Sequence, residues 1–399
     1  MKQKRRYTRR EFLQVAASAA AGAPVVLSAA CGGGSSTPPP IQPPGGNLRP
    51  DAKVSIVSCT TYDATPLEHS LTQAFDLIGG VRDMVNGKTV TVKVNLTCSG
   101  AFVNQFGLLP GESYITDGRT AIALASILLS NGARKVRFID SVPFVQPLEE
   151  VLTSAQWDVA TLLALGNIEL ENTRNLGSGT QYARRNVPSG GYLFSYFELN
   201  HSFSDTDVFV SLAKMKQHQI AGITLSMKNL FGSTPNALYG TDAATSGENA
   251  TGYRGNLHGD GSGHWVTPLP PGARTDRNPQ DPGYNIPRIV ADLCAARPVH
   301  LAIIDGIRAM SGGEGPWAPN AAPTAPGVII AGVNPVSTDA VAMAVMGYSD
   351  PRGTRGTRPF LNADNHLLLG EQAGIGTAEL AKITVSGMTI AQALYPYPG

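Results

Sequence analysis

The chain has 399 residues, of which 42% are hydrophobic and 15% charged, and its formal net charge is +1 at pH 7. That length suits one large domain or two subdomains, and the near-neutral charge excludes a nucleic-acid binder that relies on overall basic charge. Removal of residues 1–30 would take away six Lys/Arg and one Glu and leave a net charge of −4. We therefore predict no nucleic-acid partner.

The N-terminal segment, residues 1–30, has the pattern of a twin-arginine export signal. Arg9 and Arg10 precede Phe12, and the alanine-rich stretch that follows is too short and too interrupted to span a membrane. We predict export by the twin-arginine route to the periplasm or the cell surface. Because this route carries folded proteins, often with a cofactor inserted, the signal is compatible with a cofactor of unknown identity.

Cys31 follows Leu27-Ser28-Ala29-Ala30, which resembles a lipobox except that Ser28 stands where an aliphatic residue is usual. We expect a lipid anchor at Cys31 that attaches the protein to a membrane, with plain cleavage of the signal as the alternative. Residues 31–50 are rich in Gly, Ser and Pro and are typical of a flexible tether. Residues 51–399 then form the folded part, either undivided or as lobes 51–205 and 206–399.

The cysteines after the tether are Cys59, Cys98 and Cys294, and none forms a C-x-x-C pair. The sequence therefore encodes neither a zinc ribbon nor an iron–sulfur cluster. Cys59 and Cys98 each follow a predicted strand, which leaves two interpretations open: a disulfide between them, or three separate buried thiols.

The folded part begins with alternating strands and helices. Val- and Thr-rich runs predict strands, and apolar residues at helical spacing predict the helices between them. The strands are Lys53–Ser58, Thr89–Asn95 and Val136–Asp140, and the helices are Pro66–Val85 and Arg119–Asn131. This order predicts an α/β fold with a mostly parallel sheet flanked by helices.

The rest of the chain is less regular. A long Gly/Pro-rich loop, Thr234–Asn285, separates two sets of elements, and loops of that length are often functional lids. The predicted helices are Leu148–Leu165, Ile286–Ala296, Thr338–Met346 and Asn365–Ala373, and the predicted strands are Phe194–Leu199, Val208–Leu212, His300–Asp305 and Gly327–Gly332.

The most informative segment lies between residues 208 and 232. The strand Val208–Leu212 precedes a turn with Lys214, Lys216 and His218, and a helix-like stretch then carries Lys228 and Asn229. Ligands of open α/β sheets bind outside the carboxyl ends of strands. Clustered ammonium groups bind anions and lower one another's pKa. We predict a site for a small anionic ligand here, and a solvated basic patch is the alternative.

Polar residues also end other predicted strands. Lys93 and Asn95 share one face of their strand, and Asp140 and Asp305 each end another. Gly313 and Gly315 could expose backbone N–H groups to an anion. We predict that the substrate-binding residues include Lys93, Asn95, Lys214, Asn229, Gly313 and Gly315. Ordinary strand ends, helix caps and turns are the alternatives.

A divalent metal is a further prediction. His258, Asp260 and His264 lie in one Gly-rich stretch, although their spacing matches no common ligand signature. We predict Asp140 and His258 as metal ligands. A lid that brings His258 over the site and simple loop polarity remain open as alternatives.

Several of these segments resemble a known family. VTVKVNL, KMKQHQIAGITLSMKNLFG, LAIIDGIRAMSGGEGP and the runs around residues 117–141 and 327–347 are similar to the domain of unknown function 362. By this resemblance Lys93, Asn95, Asp140, Lys216, His218, Lys228, Asn229, Asp305 and Asp339 fall on family motif positions. Val94 stands where the family usually has Pro. Many relatives carry a ferredoxin-like domain whose cysteines are missing here, so the resemblance implies no iron–sulfur cluster.

These observations predict an exported enzyme that acts on a small anionic substrate, with or without a metal. Lys216 and Lys228 would stabilise negative charge, His218 would serve as acid or base, and Asp305 would orient the basic groups. The reaction type stays open between redox chemistry, isomerisation or elimination, and hydrolysis. The alternative is a lipoprotein that binds a small anion or a metal without catalysis.

Overall fold

The computed structural model describes residues 52–98, 100–258, 269–274 and 281–398, which belong to one contact unit. The predicted signal, tether and Cys31 lie outside these residues. Strands are β1 (Lys53–Ser58), β2 (Thr89–Lys93), β3 (Lys135–Asp140), β4 (Ile168–Asn172), β5 (Ala183–Asn186), β6 (Tyr196–Leu199), β7 (Val208–His218), β8 (Gly222–Thr224), β9 (Leu301–Ser311), β10 (Ala322–Thr324), β11 (Val328–Gly332) and β12 (Thr384–Gly387). Helices are α1 (Ala64–Asp76), α2 (Arg82–Val85), α3 (Gly118–Ser130), α4 (Leu148–Ser154), α5 (Val159–Ala164), α6 (Ser226–Asn229), α7 (Asn236–Tyr239), α8 (Ala243–Ser246), α9 (Gly255–His258), α10 (Pro282–Ala296), α11 (Pro335–Val345), α12 (His366–Gln372) and α13 (Ile390–Ala393).

A large mixed sheet forms the centre of the fold, in the order β12-β1-β11-β9-β7-β2-β3-β4. Neighbouring strands from β9 through β7, β2 and β3 to β4 run parallel, whereas β11 runs antiparallel to both β1 and β9. The α/β prediction with a mostly parallel sheet is therefore confirmed. Strands from both proposed lobes belong to this sheet, and the division into lobes stays a prediction.

Each face of the sheet is covered by its own hydrophobic core. Side chains alternate between the faces of a strand, so consecutive residues serve different cores. Phe138 belongs to the core that includes residues of α1, α3, α4 and α5, whereas Ile139 belongs to the core that includes residues of α10, α11 and α12. Strands that are buried on both faces need near-continuous apolar runs. Such runs, VTV at residues 90–92 and LAII at residues 301–304, made β2 and β9 recognisable as strands.

Four sequence-based assignments need correction. The helix predicted over Pro66–Val85 is two helices, α1 and α2, because the chain turns at Gly79 and Gly80, which both have positive φ. The helix predicted over Leu148–Leu165 is two helices, α4 and α5, because the chain turns at Gln156, which has a positive φ of 66°. The turn predicted after Leu212 is a continuation of strand β7 to His218. The helix-like stretch after it contains the short strand β8 and the four-residue helix α6.

The structure also tests the predictions for the long loop and for the cysteines. Between Thr234 and Asn285 the described residues contain α7, α8, α9 and the start of α10. Cys59, Cys98 and Cys294 are buried and free, so the interpretation as three separate thiols is confirmed and a disulfide is not formed. Among the described residues, no helix combines the length and the apolar character that crossing a membrane requires.

Candidate functional site

The central strand β7 extends past its neighbour and carries the predicted basic residues. Its pairing with β2 ends at Ser211, while β7 runs on and turns back into the hairpin strand β8. Lys214, Lys216 and His218 alternate along this extension, so their side chains share one face of the strand. All three are buried, which excludes the solvated basic patch considered for them.

Lys214 is neutralised within the fold. Its Nζ lies 2.8 Å from Oδ2 of Asp305, the opposite residue on β9, and neither side chain is exposed. The same ammonium donates to the Tyr62 hydroxyl at 3.0 Å, and Tyr62 and Thr120 donate in turn to the Asp305 carboxylate. Asp305 is thus surrounded by donors and orients Lys214, while its predicted catalytic role stays a prediction.

Lys93 is neutralised in a similar way at the end of β2. Its Nζ lies 2.8 Å from Oδ1 of Asp140 and donates to Oδ1 of Asn229 at 3.3 Å. Asp140 also accepts backbone N–H bonds from Ser141 and Leu96, one on each carboxylate oxygen. Both oxygens are therefore occupied by donors, which leaves them little capacity for a metal ion.

Asn229 links this ion pair to β7. Its amide group donates to the carbonyl of Lys93 at 3.1 Å and to the hydroxyl of Ser211 at 3.0 Å. Asn95 lies further along the same chain segment, where its backbone N–H donates to Thr116 and its buried side-chain oxygen has no hydrogen-bond partner. Asn229 therefore holds the framework together, whereas Asn95 has acceptor capacity to spare.

Lys216 has carbonyl oxygens as its only hydrogen-bond partners among the described residues. Its fully buried Nζ donates to the carbonyls of Tyr114 at 2.5 Å and Glu314 at 2.6 Å. Burial lowers its pKa well below the usual lysine value, the charge of Glu314 raises it, and the charges of Lys228 and Lys214 lower it further. Lys216 thus fixes the glycine-rich loop, residues 312–316, to β7.

The predicted glycines in that loop permit close packing. An added Cβ on Gly313 would lie 2.4 Å from the Cβ of Ala318, and one on Gly315 would lie 2.3 Å from the indole of Trp317. These contacts explain why side chains are excluded at both positions. Their predicted role in substrate binding stays a prediction.

Lys228 differs from the other lysines because its ammonium has neither an ion pair nor a hydrogen bond among the described residues. The side chain is 8% exposed, and Nζ lies over the ring of Phe231 at 4.4 Å from the centroid. Burial lowers its pKa to about 8, against the opposing effect of Glu314. Lys228 is therefore a buried lysine whose pKa lies near neutral pH and whose ammonium has no polar partner among the described residues.

Helix α6 places Lys228 and is itself held from α11. The carboxylate of Asp339 accepts the backbone N–H groups of Ser226 and Met227, each at 2.8 Å. A carboxylate at this end of a helix satisfies donors that have no partner within the helix. Asp339 therefore caps α6 rather than α11, the helix that carries it.

His218 is a neutral hydrogen-bond donor in this arrangement. Its Nδ1 accepts the N–H groups of Ile220 and Ala221, so the ring proton resides on Nε2. Burial, followed by the charge of Lys228, lowers its pKa to about 3. Glu314 lies 3.9 Å from Nδ1 and accepts the N–H of Gln219 and the indole N–H of Trp317. Burial alone would raise the pKa of Glu314, but the hydrogen bonds from Gln219 and Trp317 hold it below its usual range.

His258 lies on the other side of Phe231. Its ring contacts the Phe231 ring edge-on, with 4.8 Å between the centroids, and its Nδ1 donates to the carbonyl of Arg254 at 2.7 Å. Burial and the charge of Lys228 lower its pKa to about 4, so the ring is neutral and Nε2 carries a lone pair. Its predicted metal role stays a prediction; among the described residues, no group of three or more His, Cys, Asp or Glu could hold an ion.

Sequence reasoning missed three residues of this site. Arg254 donates to the carbonyls of Thr234 and Ser141, and it lies in the loop region where no regular pattern marked it. Glu314 lies in the glycine-rich run, where only the glycines were considered. His366 begins α12, is fully buried, and neither of its ring nitrogens has a hydrogen-bond partner. The only feature of the sequence that pointed to His366 was its position at the start of an apolar helix.

The described residues around Lys228 carry more basic groups than carboxylates. The basic side chains are Lys93, Lys214, Lys216, Lys228 and Arg254, and the carboxyl groups are Asp140, Asp305, Glu314 and Asp339. Buried charges are normally paired. The surplus is therefore positive, and it is centred on the lysine that lacks a partner.

Comparison with known proteins gives distant relatives. The chain is 27% identical to the Thylakoid-associated protein sll1697 of Synechocystis sp. over 183 residues, 46% of this chain and 50% of that protein. It thus spans about half the length of this curated relative. Among solved structures, a Thermotoga maritima protein has a TM-score of 0.34 at 12% identity, covering 65% of this chain and 54% of the other. The lactate racemase apoprotein of Thermoanaerobacterium thermosaccharolyticum has a TM-score of 0.34 at 13% identity, covering 70% and 55%.

The family itself is clear from a longer match. The model described as "Domain of unknown function (DUF362)" matches residues 90–344, which is well over half of the chain and includes Lys93, β7, α6 and Asp339. This chain belongs to that family.

Proposed function

We propose that this protein binds a small oxyanion at Lys228 and catalyses proton transfer on it. The observation that carries the proposal is the buried ammonium of Lys228, which has neither ion pair nor hydrogen bond among the described residues and lies where basic groups outnumber carboxylates. An anion would supply the missing charge, and a charge-assisted hydrogen bond in such a place is strong.

The roles predicted for Lys228 and His218 are exchanged in this proposal. His218 uses its Nδ1 lone pair for two backbone N–H groups, so it contributes Nε2–H as a donor toward negative charge on the substrate. Lys228 holds the anion in its ammonium form; its lowered pKa of about 8 also makes the deprotonated amine accessible near neutral pH, and this amine can accept a proton from the bound substrate and return it. Lys93, Lys214 and Lys216 hold the framework through their own partners.

The binding test uses the purified full-length chain with acetate, glycolate and inorganic phosphate as probes. Calorimetric titration of wild type is expected to give saturable binding of at least one probe, and Lys228→Met is expected to weaken it by about tenfold or more. The matched control is Lys88→Met, which removes an exposed lysine with no side-chain partner. Unchanged affinity in Lys228→Met would exclude this site.

Catalysis is tested separately by solvent exchange. Incubation of each carboxylate in deuterium oxide should replace the hydrogens next to the carboxylate of a substrate, and proton NMR measures the replacement without knowledge of the product. Exchange should be lost in Lys228→Met and retained in Lys88→Met. Lys228-dependent binding without any exchange would contradict the proton-transfer proposal.

A non-catalytic binding protein is the second candidate. The neutral His218 and His258, with pKa values lowered to about 3 and about 4, favour it because neither ring is a proton acceptor of useful strength at neutral pH. The predicted export signal and the anchor at Cys31 would place either protein outside the cytoplasm. A mass measurement on protein recovered from the membrane fraction, before and after release, tests the anchor.

A further inference from the structure

Arg254 carries a positive charge that meets no carboxylate among the described residues. Its Nε donates to the carbonyl of Thr234 at 2.8 Å, and its Nη2 donates to the carbonyl of Ser141 at 2.7 Å and to Oδ1 of Asn236 at 3.4 Å. A guanidinium has five N–H donors, and both donors of Nη1 are left without a partner in the part of the chain that the structure describes. The three partners are neutral, so they orient the guanidinium without balancing its charge.

Contacts on the short turn that follows Phe231 bring this guanidinium close to the ammonium of Lys228. Lys228 Nζ lies 4.4 Å from the centroid of the Phe231 ring, and the hydroxyl of Thr234 donates to the carbonyl of Phe231 at 3.1 Å. The carbonyl of Thr234 accepts Nε of Arg254 in turn. The two cations therefore flank the same turn, and the charge of Arg254 is one of those that lower the pKa of Lys228.

A second contact fixes Arg254 to the same turn from its backbone. The carbonyl of Arg254 accepts Nδ1 of His258 at 2.7 Å, and the His258 ring lies against the Phe231 ring with 4.8 Å between the centroids. Both ends of Arg254 are thus held by groups that contact Phe231 or the turn after it. Phe231 and Thr234 are three residues apart at a 3₁₀ turn, which spans about 6 Å along its axis.

The neighbouring charges do not balance these two cations. Each of the other cations nearby has a counter-charge of its own: Lys93 has Asp140, Lys214 has Asp305, and Lys216 is bonded to the backbone of Glu314. Burial raises the pKa of the remaining carboxyl group, Asp339, to about 8, so it supplies little negative charge at neutral pH. Burial lowers the pKa of Arg254 to about 10, which leaves it charged at neutral pH. Within the described residues, the site thus lacks two negative charges, one at Lys228 and one at Arg254.

We propose that the ligand of this site carries two anionic groups, one held by Lys228 and the other by Nη1 of Arg254. The inference rests on the proposed binding of an anion at Lys228 and names the chemical class of that ligand. Small dicarboxylates, and carboxylates that bear a phosphate, offer two charged groups at a separation that suits the two sides of one turn. The second group forms a charge-assisted hydrogen bond, which is stronger than a neutral one.

Succinate and succinamate are the matched probes for the second charge. They share the carbon chain and one carboxylate, and the other end is a carboxylate in succinate and a neutral amide in succinamate. Calorimetric titration of the full-length wild type should show that succinate binds about tenfold more tightly than succinamate. Phosphoglycolate and glycolate form the parallel pair for a phosphate as the second group. The pair with the larger ratio identifies the group that Arg254 receives, and equal affinities within both pairs would overturn the proposal.

Arg254→Met tests whether the preference comes from this guanidinium. The variant should bind the doubly charged probe only as tightly as its singly charged partner, and the affinity for that partner should stay near the wild-type value. Arg82→Met removes an exposed arginine that has no side-chain partner among the described residues, and it should keep the wild-type ratio. If Arg254 only holds the turn through its carbonyl bonds, Arg254→Met would weaken both probes alike, and the persisting ratio would contradict the proposal.

A crystal structure of wild type with the more tightly bound probe gives a readout that does not depend on how a variant folds. One anionic group should lie within hydrogen-bond distance of Lys228 Nζ, and the other within hydrogen-bond distance of Arg254 Nη1. A probe bound at Lys228 alone would overturn the role of Arg254 and leave the proposed function intact. If no probe binds wild type at all, the proposed function fails and takes this inference with it.

Discussion

The buried lysines of this protein have similar positions but different partners. Lys93 and Lys214 each meet a carboxylate at 2.8 Å, and Lys216 meets two carbonyl oxygens. Among the residues that the structure describes, Lys228 meets only the face of the Phe231 ring. Removing a paired lysine should therefore change mainly stability, whereas removing Lys228 should change mainly ligand affinity.

The affinity for a constant-charge anion such as acetate should depend on pH through Lys228. Its pKa is lowered to about 8 by burial; Glu314 opposes this shift, and Arg254 and Lys93 add to it. The ammonium is present below about pH 8 and is lost above it, so the dissociation constant should be flat on the acid side. It should rise about tenfold per pH unit on the alkaline side. Calorimetric titrations from pH 6 to about pH 10 measure this profile.

The control for that profile is Lys228→Arg, because a guanidinium keeps its charge throughout this range. Its profile should be flat whatever its absolute affinity, and any remaining slope belongs to Lys216, whose pKa is also lowered. A wild-type affinity that stays constant to pH 10 would show that Lys228 does not hold the anion.

At the scale of elements, the sequence indicated where basic residues cluster but assigned the local structure of that segment wrongly. Lys214, Lys216 and His218 follow the period of two that a strand requires, yet polar side chains at these positions do not resemble a buried strand. Ile220, Ile223 and Met227 have helical spacing, which led to the predicted helix. Gly222 ends any such helix, because its φ is +80° and a Cβ there would lie 2.8 Å from the carbonyl oxygen of Pro359.

The contact between α11 and α6 should be essential for the position of Lys228. Asp339→Ala removes two hydrogen bonds to a fully buried carboxyl group and leaves two backbone N–H groups without a partner, so we expect the free energy of unfolding to fall by about 2 kcal/mol or more. Affinity for the anion should fall as well, because α6 loses its anchor. Urea denaturation and calorimetric titration measure the two effects on one preparation.

Asp76→Ala is the matched control, because Asp76 is exposed at the end of α1 and has no side-chain hydrogen bond. It should change stability by less than about 0.5 kcal/mol and leave affinity as in wild type. Wild-type affinity in a folded Asp339→Ala protein would show that α6 keeps its position without this contact.

At the scale of the whole molecule, the order of strands and helices was predictable and the pairing of charges was not. Local periodicity sufficed for β1, β2, β3 and the core helices, because each follows from apolar residues close in sequence. The partners of the lysines are 47 to 91 residues away for Lys93 and Lys214, and such distances leave no local pattern.

The Lys214–Asp305 pair joins β7, β9, α3 and the segment before α1, so its effect should be global. Asp305→Asn leaves a fully buried ammonium without its counter-charge, and we expect it to cost about 3–5 kcal/mol of unfolding free energy. Lys214→Met combined with Asp305→Asn should cost less than the sum of the single changes, because neither partner is then left as an unpaired buried charge. Denaturation of the four proteins gives this coupling energy.

The surface pair of Lys382 and Glu379 provides the reference for that cycle. Their side chains are 65% and 35% exposed, so Glu379→Gln should change stability much less than Asp305→Asn does. The same four proteins also separate structure from catalysis at Asp305. If Asp305 serves only to hold Lys214, the folded double variant should bind the anionic probe and support exchange as wild type does. Additive stabilities would show that Asp305 does not serve mainly to hold Lys214. A stable double variant that binds the probe but no longer catalyses exchange would show that Asp305 takes part in the reaction.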